Sequence, residues 1–286
     1  DLFAWLSDRG VYHSADLGTT WTHVGVAPPK GRTEAPGCWL LDPTGRSRAM
    51  MTALVYGSPI AVSVDRAATW TYLDARSNHV DWCSVDWSDP ERRFVLALKH
   101  ESGGLLIASH DGGKSFTEVG KGFGPGWVFD GRTAVVATAM TKSSPRSRLV
   151  RTTDGGKTFQ PAGDFSPVGK DSVQALPKWR DGVLYWLVAD GLIATTDKGA
   201  TWQRVSEIRD GGYGPIFGRT ARHLFVLTKE GIVETRDGGA AWSSPVTLPK
   251  GSKGGADLQW LEYDPKHDIL YMMAMGSDLW RLDRGK

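Results

Sequence analysis

The sequence of 286 residues is poor in cysteine: it contains only Cys38 and Cys83, which fall in the predicted inner strands of two consecutive structural units. No Cys-X-X-Cys motif or closely spaced pair of histidines accompanies them, so a zinc site that would include His79 is not expected. We therefore predict no metal and no other cofactor. The two thiols fit either buried free cysteines or a disulfide between adjacent strands, which would imply an oxidising compartment.

The sequence also lacks a large excess of charge, because its 34 Lys and Arg residues nearly balance its 32 Asp and Glu residues, for a net charge of +2. These charges are interspersed, whereas binding of a duplex requires a basic face, so we expect no nucleic-acid partner. No apolar run reaches the length of a membrane span, so membrane insertion is not expected. No signal peptide is visible, and a start at Asp1 suggests a mature or trimmed chain.

Helical periodicity is lacking as well, whereas a short motif recurs along the chain. Its pattern is Ser or Thr, any residue, Asp, any residue, Gly, any residue, Ser or Thr, and then Trp or Phe, from which Ala67 and Ala241 depart. The central residues, 49, 46, 43, 43, 40 and 46 residues apart, are Asp16, Asp65, Asp111, Asp154, Asp197, Asp237 and Asp283. A period of about 40 to 50 residues is typical of propellers and solenoids.

Each copy of the motif is preceded by an apolar run and followed by an aromatic-led run, and one repeat predicts four short antiparallel strands. In the third repeat these strands are HVDWCSVDW, RFVLALKH, GLLIASHD and SFTEVG. Four-stranded blades closed into a ring make a β-propeller. The first segment supplies three strands, the last supplies three others, and five complete units lie between them. We therefore predict an all-β, seven-bladed propeller with incomplete terminal blades, as one domain over residues 1–286.

The motif itself is predicted to be structural rather than catalytic, because a catalytic site does not need six or seven copies. In a turn between the third and fourth strands of a blade, the Asp carboxylate can accept bonds from backbone N–H groups two or three residues on. The Gly two positions after the Asp can take a positive φ. The aromatic residue that ends the motif is expected to fill the gap to the neighbouring blade.

This pattern resembles the Asp-box, or BNR repeat, and the resemblance covers nearly the whole chain. Families with the motif include sialidases, xyloglucan-type endoglucanases, sortilin-type receptors and photosystem II assembly-factor propellers. The size and the single ring look most like the last group, which implies a binding role, and from the resemblance we expect a secreted or periplasmic location. The Arg-Ile-Pro motif of sialidases is missing, and xyloglucanases place their cleft between two propellers, so the likeness to cleaving enzymes concerns the scaffold.

The resemblance implies a ligand site at the channel mouth, on the face opposite the Asp-boxes. We expect this face to be built from loops 25–37, 74–82, 99–104, 120–126, 141–148, 163–174, 205–215 and 248–258. Two carboxylate pairs in these loops are candidates for catalysis of glycoside cleavage, Asp81 with Glu101 and Asp171 with Asp210.

The same loops carry the candidates for binding, which are Arg32, Arg76, His79, Arg146, Arg148, Arg209, Tyr213 and Asp257. The favoured function is a non-catalytic module that binds a protein or a carbohydrate at the channel mouth. The alternative is a glycoside hydrolase or polysaccharide lyase that uses one of the carboxylate pairs.

Overall fold

The computed structural model describes residues 1–6, 9–25, 37–139, 146–167, 176–208, 211–248, 258–274 and 279–285. In these ranges 25 strands form seven antiparallel sheets of three or four strands, and the one helical segment is a short 3-10 turn, Ala75–Ser77. No helix in the described part of the chain has the length and apolar character of a membrane span. The predicted all-β, seven-bladed propeller fold is confirmed.

The first three sheets follow one another along the chain. The first sheet contains β1 (Leu2–Leu6), β2 (Gly10–Ser14) and β3 (Thr22–Val24). The second contains β4 (Gly37–Leu41), β5 (Met50–Leu54), β6 (Ala61–Ser63) and β7 (Thr71–Tyr72). The third contains β8 (Val80–Val85), β9 (Val95–Lys99), β10 (Leu106–Ser109) and β11 (Thr117–Gly120).

The other four sheets have the same meander order. The fourth contains β12 (Phe123–Val128), β13 (Ala134–Thr138), β14 (Leu149–Thr152) and β15 (Gln160–Gly163), and the fifth β16 (Lys178–Arg180), β17 (Val183–Val188), β18 (Gly191–Thr195) and β19 (Gln203–Ser206). The sixth contains β20 (Gly211–Phe217), β21 (Leu224–Thr228) and β22 (Gly231–Thr235), and the seventh β23 (Leu258–Asp264), β24 (Ile269–Ala274) and β25 (Leu279–Asp283).

Contacts group the chain into two compact units. The first comprises Asp1–Gly124, Val128–Thr133 and Asp154–Lys157, and the second comprises Pro125–Trp127, Ala134–Thr153 and Thr158–Lys286. The first three sheets lie in the first unit and the last three in the second.

The terminal sheets have three strands each, as predicted, but the sixth sheet also has only three described strands. Its expected fourth strand is reduced to an isolated bridge in which Ile232 and Val246 exchange two backbone hydrogen bonds of 3.0 and 2.8 Å. Pro245, the residue before Val246, has no backbone N–H to donate, and proline is disfavoured in a regular ladder. The interpretation of the sixth repeat as a complete four-stranded unit was therefore wrong.

Three segments predicted as loops contain the starts of strands. Residues 74–82, 120–126 and 205–215 were assigned to loops, but β8 begins at Val80, β12 at Phe123 and β20 at Gly211. A Cβ atom on Gly126 would lie 2.0 Å from the carbonyl oxygen of Val135, and one on Gly211 would lie 2.7 Å from the Leu187 side chain. These glycines allow close packing of a strand against its neighbours and do not mark a turn.

Strands that are apolar on both faces explain the core of the second unit. On one face of β21, Phe225 and Leu227 pack with residues of the seventh sheet, such as Leu261. On its other face, Leu224 and Val226 pack with Leu187 of the fifth sheet. Because side chains alternate along a strand, the continuous apolar run LFVL buries one strand between two layers.

The Asp-boxes lie at the predicted turns, but in most of them the backbone N–H that donates to the carboxylate lies four residues after the Asp and not two or three. In the fifth sheet, the Asp197 carboxylate accepts bonds from the Thr201 amide (2.9 Å), the Thr201 hydroxyl (2.6 Å) and the Thr195 hydroxyl (2.8 Å). The amide of Gly199 donates to the Thr195 hydroxyl at 3.0 Å. The same four bonds recur in the boxes of Asp16, Asp65 and Asp111.

The copies of Asp237 and Asp283 vary this arrangement. Asp237 accepts from the amide of Ala241 (3.0 Å), which has no hydroxyl to add. Asp154 accepts from the amide of Lys157 (3.0 Å). The shortened last copy forms no such turn in the described residues, because Asp283 is the last residue of β25 and pairs with Arg281 (3.0 Å).

Two of the box glycines, Gly113 and Gly199, each meet a conformational and a packing requirement. Gly113 has a φ of 83° and Gly199 a φ of 76°, in the region that a Cβ disfavours. A Cβ on Gly113 would also lie 2.5 Å from Leu73 of the preceding sheet, and one on Gly199 would lie 3.3 Å from Val135 of its preceding sheet. The boxes are thus fastened against the sheet that precedes them in the chain.

We expect the carboxylates of the Asp-boxes to make the free energy of unfolding depend on pH under acidic conditions. Hydrogen bonds from Thr20 lower the pKa of Asp16 from 3.8 to about 2, and those from Thr201 do the same for Asp197. Because these pKa values are depressed on folding, the unfolded chain binds more protons as the pH falls below about 4, and the boxes lose their contribution.

The melting temperature should therefore fall between about pH 4 and pH 2, as measured by circular dichroism. The variant Asp197→Asn, which removes one of the titrating groups, should melt lower at neutral pH and lose less on acidification. If the melting temperature of Asp197→Asn fell with pH as steeply as that of the wild-type protein, the contribution assigned to the Asp197 carboxylate would be contradicted.

The cysteines are free and buried in the first unit. A hydrogen bond with Cys38 and complete burial raise the pKa of the Cys83 thiol well above its usual range, which suppresses the reactive thiolate. We expect iodoacetamide to modify neither thiol in the native protein and both after denaturation, as measured by intact mass. A native mass lower by two hydrogens that recovers on reduction would show a disulfide instead.

Candidate functional site

Three of the described candidate residues, His79, Asp81 and Glu101, lie together at one end of the second and third sheets. Tyr56 follows β5, His79 precedes β8, Asp81 lies in β8, and His100 and Glu101 follow β9. In the third sheet Val80 pairs with Lys99, whereas Val95 pairs with Ser109, which begins the Asp-box. The cluster therefore lies at the end of this sheet opposite its box. We call these five residues the Tyr56–Glu101 cluster.

A hydrogen-bonded chain runs through the centre of the cluster. His100 Nδ1 lies 2.6 Å from Asp81 Oδ1, and His100 Nε2 lies 3.1 Å from the Tyr56 hydroxyl. A carboxylate accepts hydrogen bonds, so the Asp81 contact assigns the ring proton to Nδ1. The lone pair of Nε2 then points toward the Tyr56 hydroxyl, which donates to it.

His79 and Glu101 complete the cluster next to His100. The ring of His79 lies 5.0 Å from that of His100 and 4.9 Å from that of Tyr56. Glu101 Oε1 lies 3.6 Å from His100 Nε2. Burial, together with the positive charge of Lys99, lowers the pKa of His79, so its imidazole is favoured in the neutral form.

Both of these outer residues have an unfavourable backbone conformation. The φ angles of His79 and Glu101 are 54° and 50°, in the left-handed region that costs a side-chain-bearing residue about 1–2 kcal/mol. The carbonyl of His79 accepts a bond from the His100 amide at 2.9 Å, which helps to hold this geometry. Backbone strain of this kind is concentrated at functional sites, where the surrounding structure enforces it.

The loop before β8 adds charged side chains to this end of the sheet. Asp74 caps the Ala75–Ser77 turn and pairs with Arg76 at 2.9 Å. The ammonium group of Lys99 donates to the Arg76 carbonyl (3.1 Å), to Asn78 Oδ1 (2.9 Å) and to the Asn78 carbonyl. Lys99 therefore ties the loop to the end of β9.

The other predicted site residues are distributed differently. Arg146 and Arg148 are exposed before β14, where Arg148 pairs with Asp164 at 3.2 Å. Tyr213 is 5% exposed and packs in the core with Ile216 and Phe225. Five candidates lie outside the described residues: Arg32, Asp171, Arg209, Asp210 and Asp257.

A second histidine network lies at the box end of the sixth sheet. His223 is buried, its Nε2 lies 2.7 Å from Glu234 Oε1, and burial lowers its pKa. Arg284, near the end of the chain, pairs with Glu234 and packs over the Phe225 ring at 4.9 Å. Because the histidine is enclosed by these groups, we assign this network to stability.

A groove of about 810 Å³ follows the outer strand of the fifth sheet in the second unit. Its walls include Val205, Ile208, Val233 and Trp242, and the Trp242 indole donates to the Ser206 hydroxyl at 2.8 Å. The groove lies where the sixth sheet has no regular fourth strand. The lining of the groove combines these apolar residues with charged ones, which are Arg204, Glu207, Lys229 and Glu230.

Comparison with known proteins establishes the fold and no closer relationship. No protein-family model matches the sequence, and no curated protein matches it significantly. A GH74 xyloglucanase from Xanthomonas campestris has a TM-score of 0.56 at 14% identity, with 90% of this chain and 46% of that chain covered. An ancestral GH74 enzyme has a TM-score of 0.59 at 15% identity, with 91% and 37% covered. This chain thus spans less than half the length of either enzyme.

A third similar structure is nearer in length. YCF48 from Cyanidioschyzon merolae has a TM-score of 0.54 at 13% identity, with 93% of this chain and 86% of that chain covered. Together with its Asp-box turns, these similarities make the chain a seven-bladed β-propeller of the Asp-box type that resembles both GH74 xyloglucanase and YCF48.

Proposed function

We propose that this chain is a non-catalytic module that binds a protein partner through the loops at the end of its sheets opposite the Asp-boxes. The observation that supports this is the position of the two described carboxylates. Asp81 lies 2.6 Å from His100 Nδ1, and Glu101 lies 3.6 Å from His100 Nε2. Glycoside cleavage requires one protonated and one charged carboxyl group that face each other across a sugar. Two acids directed at one histidine do not match that requirement.

The exposed side chains near the cluster suit protein recognition. Arg76 is 62% exposed and Glu101 is 68% exposed, so charges of both signs lie at the rim. Complementary rim charges govern the association rate and the choice of partner. A secreted or periplasmic location, with neither nucleic acid nor membrane insertion involved, is part of the proposal.

Charge reversal tests the proposal. Arg76→Glu and Glu101→Lys are compared with Lys114→Glu, which reverses an exposed charge in the Asp-box of the third sheet. Partners from source cells are captured by cross-linking and identified by mass spectrometry. We expect Arg76→Glu and Glu101→Lys each to weaken the capture of a specific protein, and we expect this loss to persist at low salt. Lys114→Glu should leave the capture unchanged.

An activity assay tests the enzyme alternative. We expect no new reducing ends when the protein is incubated with xyloglucan and a panel of other glycans. Turnover that disappears in Asp81→Asn would overturn the proposal in favour of a glycoside hydrolase. Binding on a glycan array that is lost in Arg76→Glu would instead identify a carbohydrate as the partner.

A further inference from the structure

The Tyr56–Glu101 cluster contains three side chains whose ligand atoms converge. One nitrogen of His79, one of His100 and one carboxylate oxygen of Glu101 all lie within 4.8 Å of one another. We propose that these three side chains form a binding site for a divalent transition-metal ion of the zinc class. This inference goes beyond the proposed partner binding and does not depend on it.

The distances are close to those of a metal site. With metal–ligand distances near 2.0–2.1 Å, the ligands of a tetrahedral zinc ion lie about 3.4 Å apart. His100 Nε2 and Glu101 Oε1 are already 3.6 Å apart. A ring nitrogen of His79 lies within 4.8 Å of the ligand atoms of both residues, so a side-chain movement of at most about 1.4 Å brings it to the same spacing.

Asp81 supplies the interaction that a metal-binding histidine needs on its other nitrogen. Metal-ligating histidines usually donate their second ring N–H to a carboxylate or carbonyl, which fixes the tautomer and the ring orientation. Asp81 accepts that bond from His100 Nδ1 at 2.6 Å and leaves Nε2 with its lone pair directed into the cluster. The Tyr56 hydroxyl, 3.1 Å from Nε2, is the group that an ion would displace or engage.

The arrangement of charge also favours a cation. The lone pair of Nε2 and the Glu101 carboxylate oxygen both present electron density to the same space. Two imidazoles and one carboxylate, with room for solvent, are ligands suited to Zn²⁺ and its neighbours rather than to Ca²⁺ or Mg²⁺.

The site was not predicted from the sequence because His79 and His100 have no metal-ligand spacing along the chain. They meet through the pairing of β8 with β9, in which the His100 amide donates to the His79 carbonyl. The positive φ values of His79 and Glu101 then direct both side chains from the strand ends into the cluster.

Isothermal titration calorimetry of the metal-stripped protein with Zn²⁺ tests the inference, and visible absorption with Co²⁺ reports the coordination geometry. We expect one ion per chain. His79→Asn, which tolerates a positive φ, and Glu101→Gln should each weaken binding by on the order of 100-fold, and Asp81→Asn by about 10–100-fold.

The matched control is His267→Asn. His267 is also paired with a carboxylate, Asp264, at 2.6 Å, and it lies in the turn between β23 and β24 of the seventh sheet. This substitution should leave Zn²⁺ affinity unchanged. Thermal melts without metal confirm that each variant is folded. Failure of the wild-type protein to bind Zn²⁺, or equal affinity of wild type and folded His79→Asn, would overturn the inference.

Discussion

Replacement of Trp186 by alanine is expected to lower the free energy of unfolding by about 3–5 kcal/mol. Trp186 lies in β17, its side chain is fully buried, and its ring centroid is 6.2 Å from that of Trp202, the aromatic residue of the Asp-box in the same sheet. Truncation removes apolar contact area and leaves a cavity that strands on both sides cannot easily fill, because the sheets are fixed by their ladders.

Chemical denaturation followed by circular dichroism measures this loss. Trp186→Phe keeps an aromatic ring in the same space and should lose clearly less than the alanine variant. Leu279→Ala, at a position that is 39% exposed, is the control and should change the free energy of unfolding by no more than about 0.5 kcal/mol. A loss of less than about 1 kcal/mol for Trp186→Ala would show that this position is not part of a tightly packed core.

Gly126→Ala should also be severely destabilising, by about 3 kcal/mol or more, although it adds a single methyl group. The new Cβ would lie 2.0 Å from the Val135 carbonyl oxygen and 2.7 Å from the Val136 Cα atom. These are backbone atoms, so no side-chain rotation relieves the contact, and β12 must move away from β13.

The control for this substitution is Gly122→Ala, four residues earlier. Gly122 has a φ of 86°, but no atom lies within 4 Å of its added Cβ. Gly122→Ala should therefore cost only the conformational strain, about 1 kcal/mol. Comparison of the two melting curves separates close packing from backbone conformation, and similar losses would refute the packing argument.

Much of the fold could be predicted from the sequence because the repeat is local. Asp197 and Thr201 lie within one turn of chain, so their spacing already defines their hydrogen bonds. The errors arise where a local signal is overridden by contacts far along the chain. Gly126 and Gly211 were taken as loop residues because a sequence does not reveal which strand passes close to a glycine.

The candidate site was predictable residue by residue but not as a unit. His79, Asp81 and Glu101 were singled out as polar residues of predicted loops, whereas their relation to His100 depends on the register of β8 and β9. Tyr56 was missed. A signal for it exists in the repeat, since Tyr56 follows the second strand of its sheet as His100 follows the second strand of the next. Tyr213, in contrast, lies in β20 and points into the core.

The contact of three Asp-boxes with the sheet before them gives the chain a direction of assembly on the ribosome. When the box of Gly113 emerges, Leu73 has already been synthesised, and the same holds for Gly199 with Val135 and for Gly239 with Val205. Folding from the N-terminus can therefore add one sheet at a time, each to a surface that already exists. Because the contacts join neighbouring segments, no blade with a box must wait for a distant part of the chain before it docks.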